Sequence, residues 1–186
     1  MCLTLGTGIG GGLILDGVMC RGARGAAGEL GHMVIDPRGH RCGCGRQGCL
    51  EAYVGTAEIL RKGHRLLHRA STPLRAAVRQ SGGRLSPQLL SEAARDGDPG
   101  ARRLWKEIGQ ALGIGLANVV NLLNPDRIVV GGGVANAWRW FAPTMRKVVR
   151  KEAIGISARS ARIVRARLGN RAGIVGAAVL VWDETG

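Results

Sequence analysis

Apolar positions in the first part of the chain change their period several times. Short apolar runs at residues 3–5 and 11–15 flank a turn made almost wholly of glycine. This pattern predicts a β-hairpin whose tip exposes backbone with few side chains. Residues 16–41 are rich in loop formers. Over residues 51–69 apolar side chains recur at helical spacing with charges between them, which predicts a helix. Residues 71–83 are polar and weakly patterned, and we interpret them as a mobile excursion.

The rest of the chain contains clear helix starts. Ser86 places a capping side chain ahead of Pro87, which predicts a helix over residues 87–95. A second helix is predicted to start near Asp98 and Pro99 and to continue to residue 123, because its apolar positions recur at helical spacing. Strands leading into glycine loops and alternating with helices predict an α/β fold with one domain. The remaining predicted elements are a buried strand at 127–131, a helix at 136–151, a strand at 161–168 and a small-residue helix at 172–182.

The net charge of +14 raises the question of nucleic-acid binding. Four of the 27 basic residues are lysine, and the arginines are scattered along the chain without interleaved aromatic residues. This distribution favours a compositional preference for arginine over a nucleic-acid interface. We therefore expect no nucleic-acid partner, although a general attraction for anions follows from the charge.

The five cysteines and the apolar runs indicate the compartment. An odd cysteine count and the lack of a secretory signal pattern at the start argue against a disulfide framework. No uninterrupted apolar run reaches membrane-spanning length, so no membrane association is expected. The predicted location is the reducing cytoplasm, where Cys2 and Cys20 would be small buried residues.

A compact group of metal-ligating side chains is the most informative feature. His32, Cys42, Cys44 and Cys49 fall within eighteen residues, and three thiols with one imidazole supply the four tetrahedral ligands that zinc prefers. Four protein ligands leave no position for water, which favours a structural zinc. Two alternatives stay open: His40 could replace one ligand, and the thiols could be unrelated intracellular cysteines.

Two glycine segments could approach phosphate oxygens with their backbone N–H groups. The first contains Gly6, Thr7, Gly8 and Gly10, where Thr7 adds a hydroxyl donor, and the second comprises residues 131–133. Each pattern is equally compatible with a hairpin or a close packing contact that requires glycine. Neither segment alone therefore identifies a nucleotide site.

The order of these motifs resembles the ROK family of sugar kinases and sugar-responsive repressors, most of all its bacterial glucokinases. The resemblance extends from about residue 3 to 181 and is most specific in the cysteine segment. It implies an actin-like (ribonuclease H-like) ATPase fold, of which residues 1–186 would be the C-terminal lobe with a small zinc-bearing loop. The motifs that carry it are residues 3–12, 25–32, 42–51, 124–133 and 172–178.

The resemblance also implies roles for individual residues. It assigns the first glycine loop with Thr7 to ATP phosphates, and Gly131, Gly132 and Gly133 to the adenosine side. It prefers His32 to His40 as the zinc ligand, and it assigns Glu29, His32 and Glu51 to sugar hydroxyls. Carboxylates accept hydrogen bonds from neutral polyols, although both glutamates could also be solvated surface acids. The implied cofactors are structural zinc, ATP and Mg²⁺, and the implied substrate is glucose or a related hexose.

The chain also departs from the family pattern. ROK kinases carry an Asp-x-Gly-Gly-Thr phosphate motif and an Asn-Asp pair whose aspartate takes the proton from the sugar hydroxyl, and this sequence contains neither. We therefore expect the N-terminal lobe to be absent, assign no catalytic residue, and expect a missing lobe or a homo-oligomer partner. Two other functions stay open: the sugar-sensing half of a ROK transcriptional repressor, and a zinc-bearing subunit used for assembly.

Overall fold

The computed structural model describes residues 1–68 and 73–185, without the side chains of residues 170 and 181–185. The strands are β1 (Cys2–Leu5), β2 (Ile9–Gly12), β3 (Ile14–Leu15), β4 (Val18–Met19), β5 (Arg127–Gly131) and β6 (Arg162–Arg165). The helices are α1 (Glu51–Val54), α2 (Thr56–Leu67), α3 (Pro73–Gln80), α4 (Pro87–Arg95), α5 (Pro99–Leu123), α6 (Trp138–Glu152), α7 (Gly155–Ser160) and α8 (Ala172–Thr185). Short 3₁₀ helices cover Leu30–His32, Gly133–Ala137 and Gly169–Arg171.

A four-stranded sheet with the order β2-β1-β5-β6 forms the centre of this α/β fold. Strand β1 pairs antiparallel with β2, which confirms the predicted hairpin, whereas β1 and β5 are parallel, as are β5 and β6. Thr4 pairs with Gly131, so β1 and β5 end at the same edge of the sheet. Both predicted glycine segments follow at that edge, where α/β sheets commonly bind ligands.

One face of the sheet carries the core. Leu3 and Leu5 of β1 and Ile128 and Val130 of β5 are fully buried in the same cluster as the apolar side of α5. On the other face Cys2 is exposed, so the expectation that it is a buried residue was wrong. Side chains alternate between the two faces of a strand, and in the described residues the Cys2 face is left open to solvent.

Helices α5 and α6 pack closely through glycine. A Cβ at Gly109 would come within 3.0 Å of Thr144 Cβ, and a Cβ at Gly113 would come within 2.7 Å of Val148 Cγ1. The two glycines lie one helical turn apart on α5, so they form a groove for α6. The backbone of α5 can therefore approach α6 more closely than larger side chains would permit.

The predicted starts of α4 and α5 are confirmed. Helix α4 begins at Pro87, with Ser86 Oγ accepting from Leu89 N at 3.2 Å, and α5 begins at Pro99, with Asp98 Oδ1 accepting from Ala101 N at 2.9 Å. Strand β5 also has its predicted bounds. The predicted later elements are present with shifted ends, and the 3₁₀ helix Gly133–Ala137 precedes α6.

Two predictions over residues 51–83 were wrong. The single predicted helix at 51–69 is divided, because Gly55 takes an extended conformation (φ −64°, ψ 152°) between α1 and α2. The predicted mobile excursion contains α3, whose Leu74 and Val78 are buried in the core at helical spacing. Residues 69, 71 and 72 of these two predictions lie outside the described residues.

In the described part of the chain, no helix combines the length and the apolar character required to cross a membrane.

Candidate functional site

The cysteine segment forms a tight turn between two bridged residues. Arg41 pairs with Gln47 in an antiparallel bridge, and between them Cys42 N donates to Arg46 O at 2.8 Å. Gly45 N donates to Cys42 O at 3.0 Å, and its φ of +88° favours glycine strongly. We call residues 41–47 the knuckle. Its backbone turns the Cys42 and Cys44 side chains toward one point.

The four predicted ligands come together at the knuckle. The ligand atoms of His32, Cys42, Cys44 and Cys49 all lie within 4.8 Å of one another. Cys42 Sγ is 3.7 Å from His32 Nδ1, and Cys44 Sγ is 3.7 Å from Cys49 Sγ. A tetrahedral zinc with bonds of about 2.3 Å has edges of about 3.8 Å between its ligand atoms. The donor set and its spacing therefore fit a tetrahedral metal ion.

The thiols of the candidate metal-binding group differ in electrostatic environment. Hydrogen bonds from the backbone and side chain of Arg46 lower the pKa of Cys44 to about 6. Burial raises the pKa of Cys49 to about 11, because desolvation penalises the thiolate. Metals bind the thiolate form, so a cation in this group would offset the cost of ionising the buried Cys49.

His32 turns its two ring nitrogens in different directions. The 3₁₀ helix Leu30–His32 places Nδ1 beside Cys42, while Nε2 lies 4.0 Å from Glu29 Oε2. With Nδ1 on a metal, Nε2 carries the proton and can donate a hydrogen bond. Glu29 is 66% exposed and remains accessible beside that nitrogen. These groups form a donor and an acceptor that face the same region.

The alternative ligand His40 lies apart from this group. Its ring packs edge-on against Tyr53 at 4.8 Å between centroids, and its backbone N–H donates to Tyr53 Oη at 3.2 Å. Tyr53 Oη in turn donates to Asp36 Oδ2 at 3.1 Å. Tyr53 therefore fixes the loop before the knuckle, and the structure places His32 rather than His40 among the metal-binding side chains.

The first glycine segment forms a turn that is held at both ends. Gly6 O accepts hydrogen bonds from Thr56 N at 3.0 Å and from Thr56 Oγ1 at 2.7 Å, at the start of α2. At the other end Ile9 N donates to Glu51 Oε2 at 2.8 Å, at the start of α1. We call residues 6–8 the glycine turn. Thr7 is exposed at its tip, whereas Gly10 lies within β2 opposite Thr4.

Glu51 connects the glycine turn with the knuckle. While Oε2 accepts from Ile9 N, Oε1 lies 3.9 Å from Cys42 Sγ. A Cβ at Gly31 would come within 3.5 Å of Glu51 Oε2, and a Cβ at Gly8 would overlap the same carboxylate. Glycine at both positions leaves space for this side chain. Sequence reasoning missed the link, because a contact over 42 positions has no local signal.

A cavity of about 310 Å³ lies between the glycine turn, the knuckle and the first two helices. Thr7, Cys42 and Glu51 contribute to its lining, and so does the ion pair between Glu58 and Arg61, at 2.5 Å. Its walls therefore carry a hydroxyl, carboxylates and a guanidinium. Such a lining suits a polar ligand, because directional hydrogen bonds fix its orientation.

The second glycine segment has mixed roles. Gly131 is buried in β5, while Gly132 has a φ of +85° and lies so close to β1 that a Cβ would be 2.7 Å from Leu5 N. A Cβ at Gly133 would meet nothing within 4 Å. Gly133 borders a separate cavity of about 350 Å³ against the start of α4, which Asn136 also lines. Of the three glycines, Gly133 is therefore best placed to face a ligand.

Comparison with known proteins gives a consistent family match. The model of the ROK family matches residues 1–184. The glucokinase of Streptomyces coelicolor is 38% identical over 189 residues, covering 98% of this chain and 59% of that protein. The chain thus spans about three fifths of the length of this relative.

Two solved structures have a similar fold. A ROK family glucokinase from Streptomyces griseus in complex with glucose and AMPPNP has a TM-score of 0.83 at 38% identity, with coverage of 96% of this chain and 59% of that one. A ROK family transcriptional regulator, a homologue of the E. coli MLC protein, has a TM-score of 0.78 at 32% identity, with coverage of 89% and 41%. Both a kinase and a regulator therefore share this fold.

Proposed function

This chain belongs to the ROK family, and we propose that residues 1–186 form the C-terminal, actin-like (ribonuclease H-like) lobe of a sugar kinase. The complete enzyme would transfer the γ-phosphoryl group of Mg-ATP to the 6-hydroxyl of glucose or a related hexose. The Streptomyces griseus relative with glucose and AMPPNP supports this pair of ligands. A separate N-terminal lobe would complete the cleft.

The contact of Glu51 with both the glycine turn and the knuckle carries the proposal. The side assigned to phosphate and the side assigned to sugar meet at one carboxylate, with Ile9 N at 2.8 Å and Cys42 Sγ at 3.9 Å. Phosphoryl transfer depends mainly on positioning and on stabilising charge. A rigid connection between the two binding regions is what this chemistry requires.

On the sugar side, the proposed groups combine acceptors with one oriented donor. The carboxylates of Glu29 and Glu51 would accept hydrogen bonds from hydroxyl groups, and Nε2–H of His32 would donate one. A structural zinc on His32, Cys42, Cys44 and Cys49 would stabilise the knuckle and fix the imidazole ring. A site that pairs each hydroxyl rejects analogues that lack it.

On the nucleotide side, bare backbone and one hydroxyl would contact phosphate. The backbone near Gly6, Gly8 and Gly10, with the Thr7 hydroxyl, would face phosphate oxygens, and Mg²⁺ would neutralise part of their charge. Gly6 N donates to Gly8 O at 3.0 Å, so the donors would be the other N–H groups of this segment and the hydroxyl. Residues 131–133 would border the adenosine, with Gly133 and its adjoining cavity as the contact surface. Both groups follow strands that end at one edge of the sheet.

The test is formation of glucose 6-phosphate by the chain mixed with a separately expressed N-terminal ROK lobe, with ATP and Mg²⁺ present. We expect turnover in the mixture, and a KM for ATP raised about tenfold in Thr7→Ala by loss of a hydrogen bond to a charged group. Thr7→Ser keeps the hydroxyl and is the matched control. A mixture that binds glucose but never phosphorylates it would contradict the kinase assignment.

A sugar-sensing role is the second candidate, supported by the similarity to the ROK transcriptional regulator. In that case the chain would bind sugar and move a DNA-reading segment located elsewhere. The two functions differ at the glycine turn. Nucleotide binding that depends on Thr7 supports the kinase, whereas sugar binding without any nucleotide affinity supports the sensor.

A further inference from the structure

Positive charge is concentrated in one part of the molecule, contrary to the even distribution expected from the sequence. Residues 139–171 contain ten arginines or lysines and one acidic residue, Glu152. Glu152 is itself paired with Lys151 at 2.9 Å. These residues include α6, α7 and β6, and β6 lies at the opposite edge of the central sheet from β2. This surface therefore needs a separate explanation.

A cavity of about 640 Å³ opens within this region. Its rim carries four arginines, and its floor is apolar, with Val149 and Ile163 buried. None of the residues that line this cavity also lines the cavity beside Thr7 or the cavity beside Gly133. We call it the arginine groove, and its rim is formed by Arg146, Arg150, Arg159 and Arg162.

The elements that carry these arginines are held in place. Arg146 Nη2 donates to Ile163 O at 2.9 Å, and its guanidinium lies 5.3 Å from the centre of the Trp138 ring. The residue before α7, Ile154, donates its N–H to Asn121 Oδ1 at 2.8 Å, which ties α7 to α5. The groove therefore has a defined wall before any ligand enters.

Among the described residues, none of the four rim arginines forms an ion pair with a carboxylate. Each positive charge raises the potential in a concave space with low-dielectric walls. An anion would relieve this repulsion, and a second copy of a chain with a net charge of +14 would add to it.

We propose that the arginine groove binds a small phosphorylated anion that carries at least two phosphate groups. The planar fork of arginine matches phosphate oxygens in pairs, and four guanidinium groups exceed what one phosphate can neutralise. The volume is that of a small-molecule site, and the apolar floor suits the organic part of such a ligand. This site is independent of the ATP site in the proposed function.

The experiment is calorimetric titration of the chain with inorganic tripolyphosphate at low ionic strength. The variant R150Q/R159Q removes two rim charges, and R75Q/R84Q removes two exposed charges on α3 and the turn after it. We expect the groove variant to lose about 100-fold in affinity, about tenfold for each guanidinium, and the control to lose little. Thr7→Ala measures any separate contribution of the glycine turn, which the proposed function also assigns to phosphate. Circular dichroism on each variant confirms that the fold is retained.

Each other outcome overturns the proposal in a distinct way. Equal losses in both double variants would show that only the overall charge attracts the anion. Loss in Thr7→Ala alone would assign the binding to the glycine turn. Binding of a short DNA duplex that depends on Arg150 and Arg159, without tripolyphosphate binding, would identify a nucleic-acid surface. Absence of tripolyphosphate binding at millimolar concentration would exclude the site.

Discussion

The carboxylate of Glu51 accepts a hydrogen bond of 2.8 Å from the backbone N–H of Ile9. Ile9 is the first residue of β2 and follows the glycine turn directly, while Glu51 begins α1 shortly after the metal-binding Cys49. The bond therefore joins the end of a strand to the metal-binding segment. Because a charged acceptor is involved, it is among the stronger kinds of hydrogen bond in a protein.

The first prediction concerns the stability of this link. Glu51→Ala leaves Ile9 N without its acceptor, so the free energy of unfolding should fall by about 1.5 kcal/mol, the lower end for a charged hydrogen bond because the side chain is half-buried. Glu51→Gln keeps an oxygen and should lose less. Urea denaturation measures both, with the exposed Glu152→Ala as control. Equal stability of Glu51→Ala and the unaltered chain would contradict the structural role.

The second prediction concerns sugar binding in the chain joined to an N-terminal ROK lobe. Glu29→Gln and Glu51→Gln should each weaken glucose binding by about 1.5 to 3 kcal/mol, tenfold or more, because a charged acceptor becomes neutral at nearly constant volume. Calorimetric titration with glucose gives the affinity, and thermal unfolding confirms the fold. Unchanged affinity in both variants would contradict the assignment of these glutamates to sugar hydroxyls.

The third prediction is one tightly bound zinc per chain. Removing the metal, or replacing a ligand in Cys49→Ser, should unfold the knuckle and lower Tm, since metal-binding energy in such a site is also folding energy. Metal analysis by mass spectrometry on protein purified without chelator gives the stoichiometry. Cys20→Ser, outside the metal-binding group, is the control and should keep its zinc. A metal-free protein with an ordered knuckle would contradict this prediction.

The fourth prediction separates two neighbouring glycines. Gly132→Ala should lower the free energy of unfolding by about 2 kcal/mol or more, because the residue has a φ of +85° and a Cβ would meet the backbone of Leu5. Gly133→Ala should change stability little, because its Cβ would meet nothing within 4 Å. Denaturant unfolding of both variants compares them. Equal losses would mean that space near Leu5 does not determine the requirement for glycine.

Sequence reasoning succeeded where the determinants are local. Ser86 and Asp98 each cap a helix through their own side chains, and Asn124 ends α5 in the left-handed conformation at a φ of 43°. Such signals act within a few residues, so they can be read from the sequence. The metal-ligating residues belong to this class in part, because the knuckle turn brings Cys42 and Cys44 together within a few residues.

Long-range contacts decided the features that sequence reasoning missed. Gly55 interrupts the predicted helix where Thr56 bonds to Gly6 O, fifty positions away. Helix α3 has two buried side chains, Leu74 and Val78. Two apolar positions are too few to show a recognisable helical period in the sequence. The arginine groove likewise depends on how α6, α7 and β6 pack, which residue spacing alone does not determine.

The last prediction is that residues 1–186 alone have no appreciable kinase activity. The sequence has no Asn-Asp pair, and a positioned general base typically contributes about 10² to 10⁴ in rate, about 3 to 5 kcal/mol of barrier. Half of the proposed cleft would also be missing, so alignment of ATP with the hydroxyl should fail. Weak nucleotide binding at the glycine turn should survive, because Thr56 and Glu51 hold that turn within this chain. A coupled assay for glucose 6-phosphate at high protein concentration, with ATP and Mg²⁺ saturating, measures the activity. Turnover on the order of 1 to 100 per second would show that a base within this chain activates the hydroxyl and that a second lobe is not required.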